Sequence, residues 1–144
     1  MNDKTAEMKH AELTEKIIGI FYSVYNELGH GFLESVYEEA MAMSLEAAGM
    51  TVTRQLTVPV WFHGRQIGDF RADLVVDDRV LVELKAVQRL EPAHDAQLMN
   101  YLKSTRFEVG LLLNFGTRPE VHRRIVGNHR KNFKLLSKSA STQI

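Results

Sequence analysis

The chain has 144 residues, 44% hydrophobic and 25% charged, and its 18 basic and 18 acidic side chains cancel at neutral pH. That length and balance describe one folded domain with a real core and argue against a disordered chain. With no cysteine, disulfide scaffolds, thiolate zinc sites, iron–sulfur clusters and thiol nucleophiles are excluded. No apolar run approaches the roughly 20 residues of a membrane span. The opening MNDKTAEMKH has no apolar stretch of the secretory-leader kind, so the expectation is a cytoplasmic protein with no membrane partner.

Two helices open the chain. Leu13, Ile17, Ile20, Val24 and Leu28 recur at spacings of three and four, and Gly29 follows as a stop. The second helix is predicted from about Phe32 to Ala48, with Leu33, Val36, Ala40, Met43 and Ala47 as its core-facing stripe. The pattern then changes to period two. Val52–Phe62 reads as a strand in which Pro59 demands an edge position or a bulge, and His63-Gly64-Arg65 reads as a turn. Strands are predicted at Ile67–Val76 and Arg79–Val87, a third helix at Pro92–Lys103, and a doubly buried strand within Phe107–Phe115. Val121–Val126 offers a further short strand. The order is α-α-β-β-β-α-β, an α/β (α+β) sheet domain. Its expected extent is residues 1–130, with 131–144 a basic, poorly ordered tail. Residues 118–144 hold 7 basic and 1 acidic side chains, against 11 and 17 before them.

Register is decided by segregation of side chains. A two-residue turn at Asp77-Asp78 sets Asp73 opposite Val82 and mixes charged with apolar residues on both faces. A three-residue loop, Asp77-Asp78-Arg79, sets Asp73 opposite Glu83. One face then carries Ala72, Leu74, Val76, Val80, Val82, Leu84 and Ala86, and the other gathers Arg71, Asp73, Glu83 and Lys85. A one-residue slip exchanges the faces of a strand, so the clean segregation favours the second register.

Asp73 and Glu83 are the hard oxygen ligands that Mg²⁺ or Mn²⁺ prefers. Lys85 points the same way as Glu83 and, beside a metal and a phosphate, can orient a water and stabilise charge on a phosphoryl oxygen. The bland reading of Asp…Glu-x-Lys alone, a solvated face with an ion pair, is the commoner one. Its neighbours change the balance. Gly31-Phe32-Leu33-Glu34-Ser35-Val36-Tyr37, Arg71-Ala72-Asp73-Leu74, Val82-Glu83-Leu84-Lys85-Ala86, and His94-Asp95-Ala96-Gln97 followed by Tyr101 occur in that order. Together they resemble the PD-(D/E)XK nuclease superfamily, and within it the GxxExxY proteins, with a helix similar to the Q-x-x-x-Y helix of RecB-type nucleases. The resemblance runs from about Ile17 to Phe115. It departs in one respect: Ala72, not proline, precedes the aspartate.

The resemblance implies a restriction-endonuclease-like core, a central mixed sheet flanked by helices. It also implies a divalent ion held by Asp73, Glu83, Glu34 and the carbonyl of Leu84, with Lys85 positioning the attacking water. Gln97 and Tyr101 share a helix face with His94. Gln97 would hold Lys85 or a bound water, whereas Tyr101, His94, Tyr37 and Arg71 would support the site or touch substrate. For Tyr101 and Tyr37 ordinary core packing is the competing account, and for His94 a partly exposed place at a helix start. The function so implied is a Mg²⁺- or Mn²⁺-dependent nuclease acting on nucleic acid, DNA before RNA. A homodimer or a partner protein would then supply substrate recognition. The alternative is a non-catalytic nucleic-acid or protein interaction module that keeps the fold.

Overall fold

The computed structural model describes residues 9–132. Helices α1 (Ala11–Leu28) and α2 (Glu34–Ala47) precede β1 (Val52–Phe62), β2 (Arg65–Val76) and β3 (Val80–Lys85); α3 (Pro92–Lys103) leads to β4 (Val109–Phe115) and β5 (Pro119–Ile125), and a 3-10 turn follows at Asn128–Arg130. The five strands lie in chain order across one sheet. Neighbours are antiparallel except β3 and β4, which run parallel because α3 carries the chain back across the sheet. This is the expected mixed sheet flanked by helices, extended by a fifth strand that lies two residues earlier at its start and one at its end than the optional Val121–Val126.

Two apolar clusters hold the layers together. Leu74, Val76, Val80, Val82, Leu84, Val109, Leu111, Leu113 and Phe115 pack with Leu13, Ile17, Phe21 and Val24 of α1 and with Tyr37, Met41, Ala42 and Leu45 of α2. Val75, Leu81 and Leu112 face the other way, toward Leu98 and Leu102 of α3. Every residue of β4 is therefore buried, as its unbroken apolar run requires.

The register of β2 against β3 is the one that segregation favoured: Leu74 pairs with Val82, Val75 with Leu81, and Val76 with Val80. Asp77 and Asp78 take left-handed φ of 52° and 53°, and Arg79 closes the turn by donating its N–H to the Val76 carbonyl at 3.0 Å. At the other hairpin the turn is tighter than expected. His63 and Gly64, at φ 49° and 77°, join Phe62 directly to Arg65, so β2 starts before Ile67. Pro59 sits on β1, the edge strand, next to a register shift at Val60/Trp61.

Three expectations need correction. Ala72 packs in the α3-side cluster, not with Leu74 and Val76. Gln55, between the pairs Arg54–Leu74 and Leu56–Ala72, has φ 51°, and pairing with β3 stops at Leu74, so strict alternation fails there. The stripe assigned to α2 is also the wrong one: Leu33, Val36 and Met43 are 76%, 39% and 63% exposed. α2 carries apolar residues on more than one side, and Tyr37, Met41 and Leu45 offer the larger contiguous surface. Tyr37 is wholly buried and stacks on Phe115 with ring centroids 4.0 Å apart. Its hydroxyl donates to the Gly29 carbonyl at 2.5 Å and accepts the Phe32 N–H at 3.2 Å, so the polar tip is satisfied as the ring is buried. Finally, Lys131 belongs to the domain, not the tail: it is buried, and its Nζ donates to the carbonyls of Thr105 and Phe107, each at 2.7 Å. Residues 133–144 of the expected tail lie outside the described residues.

The choice of face on α2 is testable by urea denaturation. Tyr37→Phe removes a buried hydroxyl with two partners and is expected to cost about 1–2 kcal/mol. Met43→Ala, on the rejected stripe, is expected to change stability by less than about 0.5 kcal/mol.

Candidate metal centre

The site begins where β2 and β3 stop pairing. Beyond Leu74–Val82 the Asp73 carboxylate accepts the Leu84 backbone N–H at 2.8 Å, and the Asp73 N–H faces Glu83 Oε2 at 3.4 Å. Side-chain oxygens thus take the place of ladder carbonyls, and both acids are drawn into the gap between the strands. Leu84 itself is a core residue, with its side chain in the α1/α2 cluster.

Glu83 is only 5% exposed, and its Oε1 has no hydrogen-bond partner among the described residues. Burial and then the neighbouring Asp73 charge push its carboxyl up to about 9. A buried, half-satisfied carboxylate beside a second one is unfavourable unless a proton or a cation joins it. The donor set therefore fits a hard divalent ion. Among the described residues no group of three or more His, Asp and Glu side chains is close enough to hold a metal alone. Two carboxylates completed by water and phosphate oxygens is the usual manner of Mg²⁺ binding.

The other residues singled out from sequence gather around this pair to different degrees. Lys85 is half-buried and ends β3, and its ammonium makes no hydrogen bond or ion pair with any described residue. Glu34 opens α2 within electrostatic reach: burial pushes its carboxyl up, as do the Asp73 and Glu38 charges, against the opposing pull of Lys85 and His94. Its place in the first helical turn is favourable to a negative charge in any case. Gln97 donates to the Tyr101 hydroxyl at 2.8 Å. Tyr101 stacks on Phe70 with centroids 3.7 Å apart, and burial, then the Glu83 charge, pushes its hydroxyl up. His94 caps α3, its Nδ1 accepting the Glu91 N–H at 2.8 Å.

Arg71 and Tyr37 make no hydrogen bond or ion pair with the acids. Arg71 is an exposed residue of β2 with no polar partner among the described residues. The Tyr37 hydroxyl makes no hydrogen bond to Glu34; it holds the Gly29–Phe32 loop that precedes α2.

Glu38 and Gln55 were not anticipated. Gln55 Nε2 donates to Glu38 Oε1 and lies 3.4 Å from Asp73 Oδ1, while Arg54 pairs with Glu38 at 3.1 Å. Glu38 had a legible signal, since it lies four residues after Glu34 on one helix face. Gln55 had none, because its place depends on the left-handed kink and on β1–β2 pairing.

The sequence profile of the PD-(D/E)XK nuclease superfamily matches residues 11–125, which takes in every helix and strand from α1 to β5. The chain belongs to that superfamily. Searches of curated proteins and of solved structures found no match. Membership points to nuclease chemistry in general, with nucleic acid as the substrate class and divalent metals as the usual cofactors of such enzymes. Among the described residues no helix is long and apolar enough to cross a membrane.

Glu83 also gives the free protein a pH signature. Its folded value, near 9, lies above the unfolded value of 4.5. The stability it contributes is therefore fully present below 4.5 and lost as pH rises through about 9. In chelator-containing buffer the wild-type melting temperature should fall more steeply between pH 5 and pH 9 than that of Glu83→Gln. Parallel pH profiles for the two proteins would contradict the assignment.

Proposed function

We propose that the protein is a divalent-metal-dependent nuclease that hydrolyses phosphodiester bonds in DNA. The observation that carries this reading is the clasp of Asp73 on the Leu84 amide beside Glu83, whose buried Oε1 lacks a partner among the described residues. In this reading Asp73, Glu83 and the Leu84 carbonyl hold Mg²⁺ or Mn²⁺, with Glu34 contributing directly or through water. When bound, the ion supplies Lewis-acid polarisation of the phosphoryl oxygens.

The chain's own groups do the rest. Lys85, with no ion pair among the described residues, orients the attacking water and offsets charge building on the phosphoryl oxygen. Gln97 holds that water or the Lys85 ammonium, and its bond to Tyr101 fixes the amide's direction. His94 and Tyr101 line the α3 side of the substrate path, and Arg71 meets the backbone from β2.

We also place the chain in the GxxExxY group. Support comes from what each letter does physically. Gly31 takes φ 108°, a conformation that favours glycine. Glu34 starts α2 facing the acids, and the Tyr37 hydroxyl ties down the loop between them.

Two outcomes test the reading. In Mn²⁺ and DNA cleavage assays, Asp73→Asn and Lys85→Ala should each lower the rate at least about a hundredfold while leaving the circular-dichroism melt intact. Retained cleavage in both would sink the mechanism. Calorimetric Mn²⁺ titration should show binding to wild type that is lost in Asp73→Asn. It should also show affinity rising by up to about tenfold per pH unit below 9, because the ion must displace the Glu83 proton. Metal binding without cleavage of any nucleic acid would favour the non-catalytic interaction module.

A further inference from the structure

The basic residues near the C-terminus are not one surface. Arg124 is committed to Asp95 at 2.9 Å, and Arg123 to the Lys9 carbonyl at 2.6 Å and to Thr14. Lys131 is buried against backbone carbonyls. Arg130 is exposed with no ion pair among the described residues, and so is Arg118. Arg89, remote in sequence, is exposed and unpaired in the same way and lines the same cavity as Arg118, of about 490 Å³. Gln88, Thr117 and Glu120 complete the lining.

The cavity is framed by two loops held rigidly to one another. Asn114, wholly buried at the end of β4, accepts the Val87 N–H and donates to the Val87 carbonyl, both at 3.0 Å. Glu120 accepts from Asn114 Nδ2 at 2.7 Å and from the Leu90 N–H at 2.9 Å. Glu120, the carboxylate among the described lining residues, thus already has two donors on a single oxygen. Tyr25 donates to the Gly116 carbonyl at 2.7 Å, and a Cβ on Gly116 would sit 2.4 Å from the Val87 carbonyl oxygen. Only glycine permits that approach. The fold therefore spends a buried amide, a buffered carboxylate and an obligatory glycine on presenting two unpaired guanidinium groups.

We propose that Arg89 and Arg118 form a second phosphate subsite, which holds backbone phosphates of the strand being cut at a distance from the scissile bond. This deepens the nuclease reading and rests on it for the identity of the ligand. Guanidinium forks suit phosphate oxygens in bidentate geometry. The loop that carries Arg89 leaves β3 directly after Lys85, so their Cα atoms are at most about 14 Å apart. The same strand can reach both. The subsite gives a protein of zero net charge a local grip on a polyanion.

The test uses the full chain, a short fluorescein-labelled single-stranded deoxyoligonucleotide, and anisotropy in EDTA across a range of salt. Arg89→Gln/Arg118→Gln should weaken binding about tenfold or more. It should also flatten the slope of log affinity against log salt by about 1.4, or about 0.7 for each lost contact. Mn²⁺ affinity by calorimetry should stay as in wild type. Arg118→Lys should keep the salt slope. Equal affinity and equal slope in wild type and double variant would overturn the subsite while leaving cleavage by wild type, and so the nuclease reading, intact. Oligonucleotide binding that depends on the arginine pair, with no cleavage under any metal, would overturn the nuclease reading and support the subsite. Wild type that binds no oligonucleotide would overturn the subsite outright.

Discussion

The Asp73 carboxylate on the Leu84 amide is the interaction around which the rest is arranged. A regular ladder would have continued through Asp73 and Glu83 and left both acids as ordinary side chains on one sheet face. By accepting the amide itself, Asp73 ends the ladder at Leu74–Val82, lets the strands separate, and brings Glu83 inward where water is scarce. The proximity of the acids and the isolation of Glu83 are two results of one hydrogen bond. Both raise the cost of an unneutralised pair, and that cost is what a divalent ion would relieve.

Three elements must meet the acids from different directions, and each is held by contacts outside the site. α2 is set by Tyr37, buried on Phe115 and bonded to the loop before Glu34. α3 is set by Leu98 and Leu102 in the second cluster and by Asp95, which bonds His122 and Arg124 of β5. The loop after Lys85 is set by Asn114 and Glu120. Positioning done by remote packing leaves the polar groups of the site free to serve a ligand. Lys85, the Glu34 carboxylate and the buried Oε1 of Glu83 make no side-chain hydrogen bond or ion pair among the described residues. The same framing explains why His94 can cap its helix and still lie near Glu34 without a conflict of roles.

How much of this was legible depends on the range of the physics involved. The β2–β3 register followed from side-chain period alone, because any slip would have put Arg79 and Glu83 into the core. Asp73, Glu83 and Lys85 came with it. α2 was misread because its apolar residues do not form one stripe. Which side is buried was decided by Phe115, which lies almost eighty residues away in the chain. Ala72 was misplaced because a period-two argument assumes an unbroken ladder, and the clasp at Asp73 breaks it. Arg89 and Arg118 share no local pattern, and only the folding of two loops onto one another puts them in the lining of one cavity.

The sequence by itself determined the element order, the buried central strand, the carboxylate pair on β2 and β3, and membership of a nuclease superfamily. All of these are set by local periodicity or by short motifs in a fixed order. Tertiary structure alone decided that, among the described residues, Glu83 is buried with one oxygen unpartnered, that Glu38 and Gln55 border the acids, and which basic residues remain free. Burial and charge pairing depend on neighbours brought in from distant strands and helices, and a linear pattern carries no record of them.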